Sequence, residues 1–118
     1  MLKLKGYDFG PKRSKYGNKK TEYGGFLYDS KKEANYAREL DLLKSAKGYH
    51  DKVHSWERQI PFEIRVNDVK ICKYIADFRV NYEDGREEYV DVKGVRTDIY
   101  RLKKKLVEAQ YGIVIKEV

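Results

Sequence analysis

Apolar and polar residues alternate in the middle of the chain, a pattern typical of half-buried β-strands. The even positions of residues 56–66 are mostly apolar, whereas Gln59 falls on the other parity. Turn-forming residues at 67–68 then predict a second strand over residues 69–82. A second turn predicts a third strand over residues 87–93.

A segment with helical spacing precedes these strands. Ser30 and, three residues later, Glu33 form a capping box, which is typical of a helix start. The helix is predicted to end at Lys47-Gly48. Its apolar positions are Ala34, Ala37, Leu40 and Leu43.

A second helix is predicted after the third strand. It begins at Thr97 or Asp98, ends at Gly112, and is followed by a short strand in residues 113–118. Its predicted apolar stripe is Ile99, Leu102, Leu106 and Ala109.

The order of elements predicts an α/β (α+β-like) fold, with a mixed sheet flanked by helices. Short turns make the first three strands antiparallel neighbours. The last strand follows a helical crossover and joins the sheet parallel to the third. We expect one domain over residues 26–118. Residues 1–25 are rich in Gly, Lys and Tyr, and predict a flexible basic arm.

Composition indicates a class of binding partner and a cellular compartment. The chain has 26 basic and 19 acidic residues and a net charge of +7, which fits a nucleic-acid partner or simply a soluble basic surface. The single cysteine, Cys72, cannot form an internal disulfide, so a reducing cytoplasm is expected. No apolar run approaches the roughly 18 residues that span a membrane, so no membrane partner is predicted.

The loop before the third strand decides which residue lies opposite Asp77. A two-residue loop would pair Asp77 with Val92 and mix charge into the apolar face of both strands. A three-residue loop over residues 83–85, with Gly85 left-handed, pairs Asp77 with Asp91 and keeps charged and apolar residues apart. The three-residue loop is therefore predicted.

In this register Asp77, Asp91 and Lys93 share a face, which Ile71 and Ile75 predict to be partly buried. Carboxylates opposite each other lie about 5 Å apart at Cβ and repel unless a cation lies between them. Oxygen ligands suit a hard divalent ion, above all Mg²⁺. Lys93 would hold a phosphate oxygen or orient a water.

Glu33 falls on the sheet-facing side of the first helix. Two interpretations remain open: an outer metal ligand acting through water, or a residue that serves the capping box alone.

The chain resembles the PD-(D/E)xK nuclease superfamily. The motif residues are Glu33 in SKKEA, Asp77 in YIADF, and Asp91 with Lys93 in VDVKG. The element order over residues 26–118 is similar to the restriction-endonuclease-like core. Alanine precedes the first aspartate where the superfamily commonly has proline, and Asp91 takes the place of the commoner glutamate. Other segments resemble small phage-encoded proteins.

The resemblance implies hydrolysis of phosphodiester bonds with Mg²⁺ or Mn²⁺. Asp77, Asp91 and the backbone carbonyl of Val92 would bind the ion. Lys93 would orient or help deprotonate the attacking water. Glu33 would support a water or a second metal.

We therefore expect a Mg²⁺-dependent endodeoxyribonuclease, selective for branched DNA in the manner of a Holliday-junction resolvase. A homodimer is expected because two strands must be cut, and a phage or mobile element in a bacterial cytoplasm is the expected source. The alternatives are a restriction-like or nicking endonuclease on duplex DNA, and a non-cleaving DNA-binding protein of recombination or replication. An RNA-binding protein also remains open.

Several basic residues are predicted to contact nucleic-acid phosphates, although a tail and a solvated helix face are the alternatives. They are Lys12, Arg13, Lys15, Lys19, Lys20, Arg96, Arg101, Lys104 and Lys105. We expect Gln59 either to support the site or to have a structural role in its strand. We expect Tyr100 either to contact DNA or to pack in the core. His50 and His54 are expected at the surface.

Overall fold

The computed structural model describes residues 19–46, 52–93 and 95–118. In these ranges the elements are β1 (Thr21–Tyr23), β2 (Phe26–Tyr28), α1 (Lys31–Ser45), β3 (Val53–Val66), β4 (Val69–Tyr82), β5 (Glu87–Asp91), α2 (Asp98–Tyr111) and β6 (Ile115–Glu117). None of the helices within these ranges has the length and apolar character needed to cross a membrane.

The main sheet has the strand order β3-β4-β5-β6. β3, β4 and β5 are antiparallel neighbours, and β6 lies parallel to β5, as the connections predicted. β4 pairs with β3 along its whole length but with β5 only over residues 78–81. The far part of the β3–β4 hairpin therefore extends beyond β5. The α+β class with a mixed sheet is confirmed.

The predicted basic arm is wrong for its last residues. β1 lies within residues 1–25 and pairs antiparallel with β2. Trp56 and Tyr23 both donate hydrogen bonds to the Asp41 carboxylate, at 2.8 Å and 2.5 Å. The small hairpin is thereby tied to α1 and β3, a constraint that local composition does not reveal.

The loop between β4 and β5 has the predicted three-residue form. Phe78 pairs with Val90. The N–H of Tyr82 donates to the Arg86 carbonyl at 2.9 Å, which closes the loop. Gly85 has a φ of 93°, a conformation that glycine adopts without the steric cost of a Cβ.

The core consists of two clusters that meet at the middle of β4. Phe78 packs in the cluster beneath α1, whereas Ala76 packs in the cluster beneath α2. Asp77 lies between these two residues in the chain. Because side chains alternate along a strand, the half-buried Asp77 side chain leaves the opposite face of β4 at the point where the two halves of the core meet.

α1 follows its predicted pattern. The Ser30 hydroxyl accepts a hydrogen bond from the Glu33 N–H at 3.1 Å and caps the helix. The predicted apolar face is buried at Ala34, Ala37 and Leu40. The predicted end at Lys47-Gly48 lies outside the described residues.

The predicted apolar stripe of α2 is wrong at Ile99, Leu102 and Ala109, whereas Leu106 packs against the core. Ile99 and Leu102 are 64% and 56% exposed, and the buried residues are Tyr100 and Val107. The Tyr100 ring packs near the Tyr74 ring, with centroids 6.3 Å apart. An aromatic side chain buries more apolar area than an aliphatic one, so tertiary packing rotates the helix away from the aliphatic stripe.

The face of β4 that carries Asp77 is also less covered than expected. Ile71 and Ile75 are exposed. They lie on the part of the β3–β4 hairpin with which β5 does not pair.

Replacing Gly85 by alanine tests the loop. Because an L-residue in a left-handed conformation costs about 1–2 kcal/mol, Gly85→Ala should lower the free energy of unfolding by that amount in urea denaturation. Gly85→Asn is the matched control and should lose less, since asparagine tolerates such angles. Equal stability of Gly85→Ala and the unchanged protein would contradict the loop assignment.

Candidate functional site

The carboxylates of Asp77 and Asp91 each accept a backbone hydrogen bond from the neighbouring chain segment. The backbone N–H of Asp77 donates to Oδ1 of Asp91 at 3.1 Å. The N–H of Val92 donates to Oδ2 of Asp77 at 2.8 Å. These contacts continue the register set by Phe78 and Val90, so each carboxylate lies against the backbone beside the other aspartate.

Asp91 is fully buried, with 0% of its surface exposed. Its Oδ2 atom has no hydrogen-bond partner among the described residues. Burial raises the pKa of the Asp91 carboxyl, and the Lys93 ammonium opposes this rise. Since an unpaired buried carboxylate oxygen is costly, this atom calls for a cation or a proton.

Lys93 lies beside this carboxylate, with its Nζ 4.0 Å from Oδ1 of Asp91. The ammonium is also 4.4 Å from the centroid of the Tyr100 ring, which favours a cation on its face. The Lys93 N–H donates to the Val118 carbonyl at 3.2 Å. Although β5 ends at Asp91 rather than at Lys93, the lysine is held beside the pair.

Glu33 faces the same group of charges. It is 9% exposed. Burial, followed by the charge of Asp77, raises the pKa of Glu33 to about 7, while Lys93 and a hydrogen bond from the Asp29 backbone oppose the rise. The cap formed by Ser30 uses the Glu33 N–H, whereas the Glu33 carboxyl accepts the hydrogen bond from the Asp29 backbone.

Asp77 completes the cluster. Burial raises the pKa of its carboxyl, whereas the hydrogen bond from Val92 and the charges of Lys93 and Arg58 lower it. Two buried carboxyl groups, Glu33 and Asp91, and the half-buried Asp77 therefore share Lys93 as their common cation, with Arg58 acting on Asp77 as well.

The carboxylate oxygens of this site are suitable ligands for a divalent ion, but protein side chains do not supply a complete coordination shell. Among the residues described, no three His, Cys, Asp or Glu side chains are grouped as a metal site. Asp77 and Asp91 nevertheless offer carboxylate oxygens, and the unpaired Oδ2 of Asp91 is a ligand without a partner. Mg²⁺ usually keeps several waters and takes one or two carboxylates, so two suffice.

Arg58 belongs to the surroundings of the site, and the sequence pattern did not single it out. Its guanidinium lies over the Tyr28 and Phe26 rings, 4.6 Å and 4.9 Å from their centroids. Its charge lowers the pKa of Asp77. One feature of the sequence could have identified Arg58: it is a charged residue among the apolar even positions of β3.

Gln59 has an exposed side chain and a φ of 57°. The regular pairs on either side of it are Arg58 with Phe78 and Ile60 with Ala76. Within the described ranges its side chain forms no hydrogen bond that links it to the carboxylates. Gln59 therefore distorts the backbone of β3 opposite Asp77, and its side chain does not take part in the site.

Tyr100 closes the core instead of standing free for DNA. It is buried, and its hydroxyl donates to Oε2 of Glu117 at 2.7 Å. Its ring also supports the Lys93 ammonium. His54 is exposed near Glu83, at 3.7 Å, and His50 lies outside the described residues.

The predicted basic residues of α2 do lie together. Arg96, Arg101, Lys104 and Lys105 line a surface depression of about 310 Å³, which we call the α2 depression. Three of them have an acidic partner. Arg96 pairs with Glu117 at 3.0 Å, Arg101 with Asp98 at 3.8 Å, and Lys104 with Glu108 at 3.7 Å.

A second basic surface lies at the start of α1. Lys19 and Lys20 line a depression of about 560 Å³ together with Lys31 and Lys32. We call it the α1 depression. The sequence predicted phosphate contacts for Lys19 and Lys20 but not for Lys31 and Lys32, because these two lie within the capping box and were assigned only to the helix start. The predicted contacts at Lys12, Arg13 and Lys15 lie outside the described residues.

Comparison with known proteins gives a family. The family described as "Protein of unknown function (DUF1064)" matches residues 13–117, and the chain belongs to it. Neither the curated proteins nor the solved structures contain a match.

The raised pKa of Glu33 predicts a pH-dependent stability. A carboxyl with a pKa of about 7 when folded, against an ordinary value of 4.5, binds more protons in the folded state. In EDTA, the free energy of unfolding should therefore fall as pH rises from 5 to 8, by on the order of 2–3 kcal/mol from this group. Glu33→Gln should show a smaller fall in denaturant titrations.

Glu39→Gln is the control, because Glu39 is exposed on the same helix. It should keep the full pH dependence. An identical pH dependence in Glu33→Gln and the unchanged protein would show that Glu33 does not carry this effect.

Proposed function

We propose that this chain is a Mg²⁺-dependent DNA endonuclease that hydrolyses phosphodiester bonds, as the PD-(D/E)xK resemblance implies. The observation that carries the proposal is the pair of backbone hydrogen bonds to these carboxylates, from the Asp77 N–H to Asp91 and from the Val92 N–H to Asp77, with the buried Oδ2 of Asp91 left unpaired among the described residues. A structural carboxylate would have its oxygens satisfied by donors. One that keeps an oxygen free inside the protein fits a cation-binding role.

Asp77, Asp91 and the backbone carbonyl of Val92 would hold Mg²⁺ or Mn²⁺. When bound, the ion would stabilise the negative charge that develops on the phosphate. The hydrogen bonds from the backbone to each carboxylate fix the direction of the free oxygens. Such fixed ligands need no rearrangement during the reaction.

Lys93 and Glu33 would handle the water. The Lys93 ammonium lies close enough to Asp91 to orient a water or hold a phosphate oxygen. Glu33, with a pKa of about 7, would take a proton from water near neutral pH, where a general base works best. A bound cation would lower this pKa and favour the ionised base.

The substrate that we propose is branched DNA, as in Holliday-junction resolution. The described residues form one sheet with two helices and two basic depressions. Lysine and arginine contacts to phosphates read the shape of DNA rather than its base sequence. A homodimer would cut two strands, and a phage or mobile element acting in a bacterial cytoplasm would supply the setting.

A non-cleaving DNA-binding protein is the second candidate. The observation that favours it is the lack, among the described residues, of a third acidic, His or Cys side chain grouped with the pair as a metal site. The basic surfaces would serve such a protein equally well.

Cleavage assays separate these functions. Labelled four-way junction, linear duplex, single strand and RNA are incubated with the protein in Mg²⁺, Mn²⁺ or EDTA. We expect metal-dependent cleavage of the junction. Asp77→Asn and Asp91→Asn should each lower the rate at least about 100-fold, since each removes a charged ligand from the site.

Lys44→Gln, a change at the far end of α1, is the control and should cleave at the unchanged rate. Cleavage of plain duplex would favour the restriction-like alternative. Tight binding without cleavage in either metal would favour the non-cleaving protein.

A further inference from the structure

Two basic surfaces border the candidate site, and they differ in how their charges are used. In the α2 depression, Arg96, Arg101 and Lys104 each pair with an acidic side chain. In the α1 depression, Lys19, Lys20 and Lys31 have no ion pair within the described residues. The acidic partner of a paired cation offsets its attraction for a phosphate, whereas an unpaired cation keeps its full charge for one.

The α1 depression also has the larger excess of positive charge. It has four lysines and one acidic residue, Glu22. The α2 depression has four basic and two acidic residues, Glu108 and Glu117. Like charges held together without counter-charges repel one another, so such a cluster suits a polyanion.

The lysines at the start of α1 do not stabilise the helix. Lys31 and Lys32 lie in the first turn of α1, where the helix dipole disfavours positive charge. Lysines at this position cost stability. Lys32 has a structural contact with the Lys93 carbonyl, whereas a binding role accounts for Lys31 better than a structural role.

The α1 depression is linked to the candidate site through Lys32. Lys32, in its wall, donates a hydrogen bond from Nζ to the Lys93 carbonyl at 3.2 Å. Glu33, the next residue, faces Asp77. A phosphate backbone in the depression would therefore pass beside the candidate site.

We propose that the α1 depression is the main surface that holds the DNA phosphate backbone beside the site. This inference rests on the proposed function, and it assigns DNA binding chiefly to Lys19, Lys20, Lys31 and Lys32 rather than to the basic face of α2. The depression acts as an electrostatic groove and does not read bases.

The test measures DNA binding in EDTA, where cleavage does not interfere. Fluorescence anisotropy compares the full chain with Lys20→Gln/Lys31→Gln on a labelled four-way junction, a DNA duplex and an RNA duplex. We expect the double variant to lose about ten-fold in DNA affinity and to lower the slope of log K against log salt by about two. Lys32 is kept, because it contacts Lys93.

The matched control is Lys44→Gln/Lys70→Gln, which removes the same charge from two exposed positions outside the depression. It should bind within about two-fold of the unchanged chain, since distant charges are screened. Circular dichroism confirms folding of both variants. Lys31→Gln removes an unfavourable charge from the helix start, so loss of folding is not expected.

Four results would overturn the proposal. Binding of Lys20→Gln/Lys31→Gln at the unchanged affinity, or a larger loss from Arg101→Gln/Lys105→Gln, would overturn it and leave the proposed function standing. A loss of RNA binding with DNA binding retained would assign the depression to another nucleic acid. Failure of the unchanged chain to bind any DNA would remove the proposed function itself.

Discussion

The site depends on one exchange of hydrogen bonds across a hairpin. Each of two aspartates uses one carboxylate oxygen to accept a backbone N–H near the other, at 3.1 Å and 2.8 Å. This exchange is possible only in the register that the left-handed Gly85 sets. A one-residue slip would send one of the two side chains to the opposite face, so the loop geometry and the chemistry are a single constraint.

That constraint brings carboxyl groups together at positions that are largely shielded from water. Burial raises the pKa of Glu33, Asp77 and Asp91 together, and Lys93 lowers all three only in part. Folding therefore carries a cost at neutral pH that a bound cation would relieve. This is why ion binding, the stability of the fold and the proton affinity of the proposed base should change together.

The sequence predicted what local chemistry determines. The Gly85 loop, the α1 cap and the meeting of the aspartates follow from turn residues and strand parity. The buried face of α2 does not, because Tyr100 is held by Glu117, a residue brought near by β6. Arg58 was missed for a similar reason, since its stacking partners lie on β2. Whether a basic residue is paired or unpaired likewise depends on distant parts of the chain.

The most direct measurement is anomalous diffraction from crystals soaked in Mn²⁺. The account predicts an anomalous peak within coordination distance of Oδ2 of Asp91 and of an Asp77 carboxylate oxygen, and its loss in Asp91→Asn crystals. Crystals that diffract well and contain Mn²⁺ elsewhere, or none, while Oδ2 of Asp91 stays without a ligand, would contradict it.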